Sequence, residues 1–436
     1  DAMEVPMKLM ELTKEYDITY TPGDIIPTDK DVIKSIYDAA IDFLVDIGFY
    51  NTSTNRIISF GEDEIKAQLD ALPGTLDTGM DNDAVHTTRR LPGDKKVPLV
   101  FGGPCGAGLS EENFTPIMQS YAMEPRVVGV HTGTLLSLNG LEIKAGTPLE
   151  MFAARREAAM TREALRRAGR PGMPIVGTMS AVTSEGQCFG HYPEGLRNSD
   201  MLLVSLLNDF KVDWDLLKKA LYCQQSGLNI ANCMCGTSGS MGDPAACAVG
   251  YAAECLASYP ILGGDLINIC SPFDMLTGHT VLPECMFMGA AAVAAIAQNT
   301  KGLTSVYCPV SSGLCTESSI YEIAAVGGAA TAAGTDMLLG VPMVDGLGAD
   351  QDAGITSRML SEVAEGISGM GLEEANDLLK DIVKAYLPNG VNDYTPDQGK
   401  NFTECYNMQT LKPTEEYEDL WRNGKAKLTD IGLNMG

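Results

Sequence analysis

The chain has 436 residues, of which 45% are hydrophobic, and its 31 basic and 57 acidic side chains give a formal net charge of −26. A chain of this length can bury a large core, and so acidic a surface repels phosphate backbones and anionic lipid headgroups. We therefore expect no nucleic-acid partner and no membrane partner. The 12 cysteines lie mostly in apolar stretches, which indicates reduced thiols and a cytoplasmic location. We see no signal peptide and no apolar run of the roughly 18 residues that a membrane helix needs.

The first 97 residues predict two helices and a hairpin that pack on the rest of the chain. Thr28 or Asp29 is a suitable N-cap for a helix whose apolar residues recur at helical spacing up to Leu44. The segment "GEDEIKAQLDAL" predicts a second helix. The segment "AVHTTRRLPGDKKVPLVF" alternates around Pro-Gly-Asp, which predicts a β-hairpin.

From residue 98 onward, short β-rich apolar runs alternate with helical patterns. The predicted strands are 98–103, 126–130, 174–179, 210–213, 229–235, 266–270, 304–310 and 337–344. The predicted helices are 112–122, 148–168, 214–225, 243–258, 281–298, 318–333 and 354–369, with a further helical segment at 195–208.

Eight strand–helix units of similar spacing favour an α/β fold, a (β/α)₈ TIM barrel, over an open doubly wound sheet. The strands are too apolar for a sheet with one solvated face, and the regular spacing leaves no obvious switch point. We expect the barrel to occupy residues 98–370. Residues 371–436 then form a C-terminal helical extension with helices at 372–386 and 414–430.

The active site of a TIM barrel lies at the carboxyl ends of its strands. These ends are rich in sulfur and poor in charge, and no GxGxxG, P-loop or HExxH spacing accompanies them. The predicted ends are Gly103–Cys105, His131–Thr132, Thr178–Ser180, Asp213, Cys233–Thr237, Cys270–Asp274, Cys308–Ser312 and Val344–Gly346.

Cys233 and Cys235 are the most prominent of these residues. On a strand, residues i and i+2 share one face, so both thiols point the same way. Three interpretations remain open: packing in the core, a catalytic or substrate-facing role, or a metal site completed by Cys270 and His279. His279, Asp274 and Asp345 are equally explained as loop or helix-capping residues.

Several stretches, in the same order along nearly the whole chain, resemble the monomethylamine methyltransferase family of methanogenic archaea. They are "VPMKLMEL", "IPTDKDVI", "AGRPGM", "LNDFKVDWDLL", "TSRMLSEVAEGISGM", "FTECYNMQTLKPTEEYEDL" and "KLTDIGL". The resemblance implies a (β/α)₈ barrel that transfers a methyl group to the cobalt of a separate corrinoid protein. It also implies a homo-oligomer.

The family's reactive group is a pyrrolysine shortly after "GRPGM", and ungapped matching places Val176 there. Three acids that the family has nearby correspond to Met179, Leu203 and Cys233 in this chain. The resemblance therefore implies a barrel without pyrrolysine, whose reactive face has changed while its helices and tail have not.

Valine forms no adduct with an amine, so we expect monomethylamine to be a poor methyl donor. A quaternary amine, a sulfonium or a sulfur compound needs no imine and is the expected small methylated substrate. We expect Cys233 and Cys235 to be catalytic. The expected substrate pocket consists of Val176, Met179, Leu203, Phe273, Asp274, Tyr307, Cys308 and Asp345. Two alternatives remain: a zinc-assisted demethylase with Cys233, Cys235, Cys270 and His279 as ligands, and a docking partner of the corrinoid protein without catalysis.

Overall fold

The computed structural model describes residues 3–191 and 195–436, and eight parallel strands of the described chain close into a barrel in chain order. We number them β1 to β8. Their bounds are Leu99–Gly102, Val127–His131, Ile175–Gly177, Met201–Ser205, Asn229–Ser238, Leu266–Asp274, Thr304–Tyr307 and Met337–Leu339. The predicted (β/α)₈ barrel is confirmed.

Helices follow the strands and cover the outside of the barrel. They are Glu111–Ala122, Pro148–Arg167, Ser184–Phe189, Trp214–Ser226, Pro244–Leu262, Pro283–Asn299, Glu317–Ala333 and Gly354–Ile367. The helices that follow β5, β6 and β7 are buried along most of their length, because further helices pack on top of them. Pro244–Leu262 is long and apolar enough to cross a membrane, but 83% of its most apolar window is buried inside the protein.

The strands are apolar on both faces because each face meets a different layer. On β5, Ala231 and Cys233 pack in the barrel interior, whereas Ile230 and Met234 pack against the outer helices. This alternation is the period of two that a strand imposes on its side chains. It sends Cys233 and Cys235 to the interior, as the sequence predicted.

The prediction for the fourth strand was wrong. The barrel uses Met201–Ser205, within the segment predicted as helical, and residues 211–212 form a short strand that pairs with Phe49–Asn51 outside the barrel. Met201–Ser205 is buried on both faces like the other strands, but it consists mainly of Met and Leu, which are common in helices, with Val204 its single β-branched residue. Asp213 consequently caps the helix Trp214–Ser226, accepting a hydrogen bond from the Leu216 N–H, and does not lie at the barrel mouth.

The predicted hairpin around Pro-Gly-Asp was also wrong. Val85–Thr88 pairs with the preceding Thr75–Thr78, and the Pro-Gly-Asp turn leads directly into β1. The buried Arg90 occupies the connection, where its guanidinium donates to backbone carbonyls that include that of Thr335. The backbone carbonyls around Arg90 bind its guanidinium and do not pair in the hairpin that the alternation predicted.

The remaining elements frame the barrel. Helix Lys30–Ile47 begins at Asp29, whose carboxylate caps it, and packs on the helices after β5 and β6. The other helices are Glu4–Glu15, Glu62–Asp70, Leu372–Tyr386, Phe402–Cys405 and Glu415–Ile431. Short strands are Phe49–Asn51 with Arg56–Ile58, Gly108–Leu109 with Thr134–Leu135, Ser137–Leu138 with Leu141–Glu142, and Tyr406–Asn407 with Lys412–Pro413.

Candidate functional site

Three thiols converge inside the barrel, in the middle of β5 and β6 and level with the last residues of β4 and β7. The Sγ atoms of Cys233, Cys235 and Cys270 all lie within 4.8 Å of one another. Cys233 and Cys270 are 4% and 9% exposed, and Cys235, nearer the mouth, is partly exposed. Two neighbouring strands therefore build one sulfur cluster with a single member that solvent reaches.

Two polar side chains, on β6 and β7, continue the row of side chains to which Cys233 belongs. Asn268 is the register partner of Cys233, and its Nδ2 donates to the Sγ atoms of Cys233 at 3.3 Å and Cys270 at 3.9 Å. The hydroxyl of Ser305 on β7 donates to Asn268 Oδ1 at 2.9 Å. This second bond orients the amide so that its NH₂ group faces sulfur. The side chains of Cys233, Asn268 and Ser305 are all buried.

The protonation of the three thiols is shared. Hydrogen bonds donated by Cys235 and then Cys270 hold the pKa of the Cys233 thiol well below its usual value. The same contacts raise the pKa values of Cys235 and Cys270, because each donates to Cys233.

Apolar side chains form the wall beside the cluster. Val176 is fully buried in the same interior cluster as Leu203 and Cys233, and Met179 packs against it. The structure therefore brings together the four residues that the family resemblance singled out. None of these four side chains is an electrophile or a carboxylic acid, and the buried carboxylate of Glu157 behind Met179 accepts from the Met179 and Ser180 N–H groups.

Three other predicted pocket residues lie in different parts of the barrel. Tyr307 lies on β7 against the interior cluster, and its hydroxyl donates to the Cys105 carbonyl at 3.1 Å. Cys308 is buried in the outer packing layer instead, where its thiol donates to the Val306 carbonyl. Phe273, at the end of β6, is 37% exposed.

Asp274 is held by its own loop, whereas Asp345 joins the loops after β6 and β7, where it meets His279. The carboxylate of Asp274 accepts from the Leu276 and Thr277 N–H groups and the Thr277 hydroxyl. Asp345 accepts from the hydroxyls of Thr280 and Ser311 and lies 3.1 Å from His279 Nδ1. His279 is thus not a member of the thiol group. Neither acid caps the helix that follows it, because the N-caps of those helices are Leu282 and Ala353.

Three buried groups near the site were not assigned roles from the sequence. Glu157 accepts from the Met179 and Ser180 N–H groups and fixes the loop after β3, and burial raises its pKa to about 7. Burial lowers the pKa of His131 to about 4, so its imidazole is neutral at pH 7. Burial also lowers the pKa of Lys219 to about 8, and its ammonium donates to Gln187. Of these, only His131 carried a signal, as a strand-end residue.

Comparison with known proteins matches the whole fold. The family model described as "Monomethylamine methyltransferase MtmB" matches residues 1–433. The protein of that name from Methanosarcina mazei is 33% identical over 434 residues, which cover 99% of this chain and 94% of that protein. MtmB1 from Methanosarcina acetivorans is 32% identical over the same shares.

Solved structures agree. The crystal structure of the Methanosarcina barkeri monomethylamine methyltransferase superposes with a TM-score of 0.95 at 31% identity, covering 99% of this chain and 93% of that one. A second solved MtmB structure, a hydroxylamine complex, gives the same TM-score, identity and coverage.

Proposed function

The chain belongs to the monomethylamine methyltransferase (MtmB) family of corrinoid-dependent methyltransferases, and we propose that it uses a methyl donor other than monomethylamine. The methyl group moves to the Co(I) of a separate corrinoid protein, as the family membership implies. The reaction proceeds without pyrrolysine, and the preferred donor is a sulfur compound.

The observation that carries this proposal is the composition of the interior wall. Val176, Leu203 and Cys233 pack together in one buried cluster, with Met179 against it. None of the four can form an adduct with an amine or donate a proton as a carboxylic acid does. These four side chains offer methylammonium no carboxylate partner in exchange for its lost hydration, which disfavours its binding.

A cationic quaternary amine or sulfonium would be stabilised by an aromatic or acidic wall. Tyr307 supplies one ring beside the thiols. The two candidate acids are already engaged, Asp274 by its own loop and Asp345 by residues of the loops after β6 and β7. The cluster of three thiols is the stronger chemical feature of the mouth, and it favours a donor that carries sulfur.

A donor panel tests the proposal. The purified protein is mixed with a corrinoid protein reduced to Co(I), and loss of the Co(I) absorbance is followed for each donor. The panel contains monomethylamine, a quaternary amine, a sulfonium, a methyl thioether, a thiol and methanol. We expect turnover with a sulfur donor and none with monomethylamine.

The variant Cys223→Ala is the matched control, because Cys223 is fully buried in the helix Trp214–Ser226, outside the thiol cluster. It should behave as the parent protein with every donor. Binding of the corrinoid protein without turnover of any donor would contradict the proposal and indicate a docking role.

A further inference from the structure

We propose that Cys233, Cys235 and Cys270 bind one zinc ion, and that its open fourth position accepts the sulfur of a methyl thioether. The metal site stands on geometry alone. The identity of its ligand rests on the methyltransferase function proposed above.

The sulfur positions match a tetrahedral ion. With zinc–sulfur bonds of about 2.3 Å, thiolates at tetrahedral angles lie about 3.8 Å apart. The three Sγ atoms lie within 4.8 Å of one another, and the Cys233–Cys270 separation is 3.3 Å. Side-chain rotations that change the sulfur separations by up to about 1 Å would therefore complete the geometry.

The supporting shell has the character of a metal site. Thiolate ligands are oriented by hydrogen-bond donors that are themselves fixed, and such partners typically contribute 10–100-fold to metal affinity. Asn268 donates to two of the sulfurs, and Ser305 fixes the amide of Asn268. If the cysteines only packed in an apolar core, a buried amide would not be expected beside them.

Three protein ligands leave one coordination position for substrate. Among the described residues, the group of potential ligands contains only the three cysteines, since His279 is engaged with Asp345. Cys235 lies nearest the mouth and is the partly exposed member. The open position therefore faces the end of the barrel at which substrates enter.

Sulfur ligands favour soft or borderline ions, and zinc has no redox chemistry that would compete with methyl transfer. Three thiolates on Zn²⁺ leave one negative charge, so a neutral ligand is preferred over a further anion. A thioether is neutral and binds through sulfur, and it is bound more readily there than an amine cation.

The methyl transfer balances without a proton. Co(I) attacks the methyl carbon of the coordinated thioether and supplies the electron pair of the new cobalt–carbon bond. The carbon–sulfur bond breaks, and its electron pair stays on sulfur as a thiolate, which zinc stabilises. The products are methyl-Co(III) on the corrinoid protein and a zinc-bound thiolate that is later released.

Metal content and a spectroscopic probe test the site independently of activity. The anaerobically purified, reduced protein is incubated with zinc, desalted and analysed for metal. Cobalt(II) is then added to the metal-free protein, and thiolate-to-cobalt charge-transfer absorption is recorded. We expect about one zinc per chain and a thiolate-type cobalt spectrum.

Variants assign the ligands. Each of Cys233→Ser, Cys235→Ser and Cys270→Ser should lower zinc affinity at least ~100-fold, and Asn268→Leu should lower it about 10–100-fold. Cys223→Ala is the matched buried control and should keep full zinc content. Because serine variants of a core site can misfold, circular dichroism of each metal-free variant is compared with that of the metal-free parent.

The failure of this inference is distinguishable from failure of the proposed function. Less than about one-tenth of a zinc per chain, or a Cys233–Cys270 disulfide in the reduced preparation, would overturn the metal site. Thioether turnover by the metal-free protein at the rate of the zinc-loaded protein would overturn the role of the metal toward the thioether and leave the methyltransferase proposal standing. Zinc binding without turnover of any donor would leave the metal site standing but overturn its role toward a thioether.

Discussion

The Sγ atoms of Cys233 and Cys270 lie 3.3 Å apart, although the two residues are not register partners. Cys233 pairs with Asn268, and Cys270 pairs with Cys235 on the adjacent strand. The contact is therefore diagonal, and it draws the thiols of two rows of side chains into one triangle. Three sulfurs in a triangle can all bind one ion at the same time. Thiols arranged in a line along the strands could not.

The Ser305 hydroxyl is expected to act on the thiols through Asn268. In Ser305→Ala, the buried Asn268 Oδ1 loses the donor that holds it, which costs about 1–3 kcal/mol of unfolding free energy. Zinc affinity should fall about 10-fold because the amide is free to turn. Calorimetric unfolding and zinc titration measure the two effects.

The control for Ser305 is Ser361→Ala, whose hydroxyl bonds only to the Arg358 carbonyl within a helix. It should leave zinc affinity unchanged. If Ser305→Ala and Ser361→Ala shift zinc affinity equally, Ser305 has no positioning role.

His279 is expected not to bind metal, contrary to one interpretation of the sequence. His279→Ala removes its contact with Asp345 and should cost about 1 kcal/mol of stability, with zinc content unchanged. Metal analysis of the purified variant measures this directly. A loss of zinc comparable to that of Cys235→Ser would show that the loop carries a fourth ligand.

Leu203 is expected to tolerate an apolar side chain of similar volume but not a charge. In Leu203→Glu, a carboxylate enters an interior where Leu203 is only 8% exposed, and the unfolding free energy should fall by at least ~3 kcal/mol at pH 8. The loss should be smaller at pH 5, because the buried acid is then protonated. Denaturant unfolding at the two pH values measures both.

The matched change Leu203→Met preserves volume and should cost less than about 1.5 kcal/mol at either pH. Equal stability of the glutamate and methionine variants at pH 8 would mean that the wall offers a charge partner that the structure does not show.

Glu254 is expected to make stability fall as pH rises. Burial raises its pKa to about 8 from an ordinary value near 4.5, while its carboxyl accepts from the Phe210 N–H. The folded state therefore holds a proton that the unfolded state has released between these two pH values. The contribution is fully present below about pH 4.5 and is lost as pH rises toward 8.

In Glu254→Gln, the amide keeps an acceptor and cannot ionise. The stability of this variant relative to the parent should rise by ~3 kcal/mol between pH 5 and pH 8. The exposed Glu373→Gln on the helix Leu372–Tyr386 is the control and should show no such trend. A flat difference for Glu254→Gln would contradict a raised carboxyl pKa.

Much of the fold followed from sequence because the barrel repeats one unit. Seven of the eight strands were placed correctly, since their β-rich runs are bounded by loops and helices. Met201–Ser205 was missed because it consists mainly of Met and Leu, which favour helices, and has a single β-branched residue, Val204. The hairpin prediction failed because the Pro-Gly-Asp motif indicates a turn but does not determine which strands pair.

The site was predicted in part. The shared face of Cys233 and Cys235 followed from strand periodicity, and Cys270 from the same edge of the next strand. Asn268 and Ser305 were missed, although each lies two residues before a strand-end residue, Cys270 or Tyr307, and so shares its face. Lys219 gave no signal, because only the folded chain shows that this helix position is buried.

The most direct test of replaced chemistry is a comparison of two donors with one corrinoid protein in the Co(I) state. The value of kcat/KM is measured for a methyl thioether and for monomethylamine, using the zinc-loaded protein and Cys235→Ser. We predict methyl-Co(III) formation from the thioether only, with a loss of at least ~100-fold in Cys235→Ser. Methylation of Co(I) by monomethylamine at a rate equal to or above that of the thioether would contradict the account.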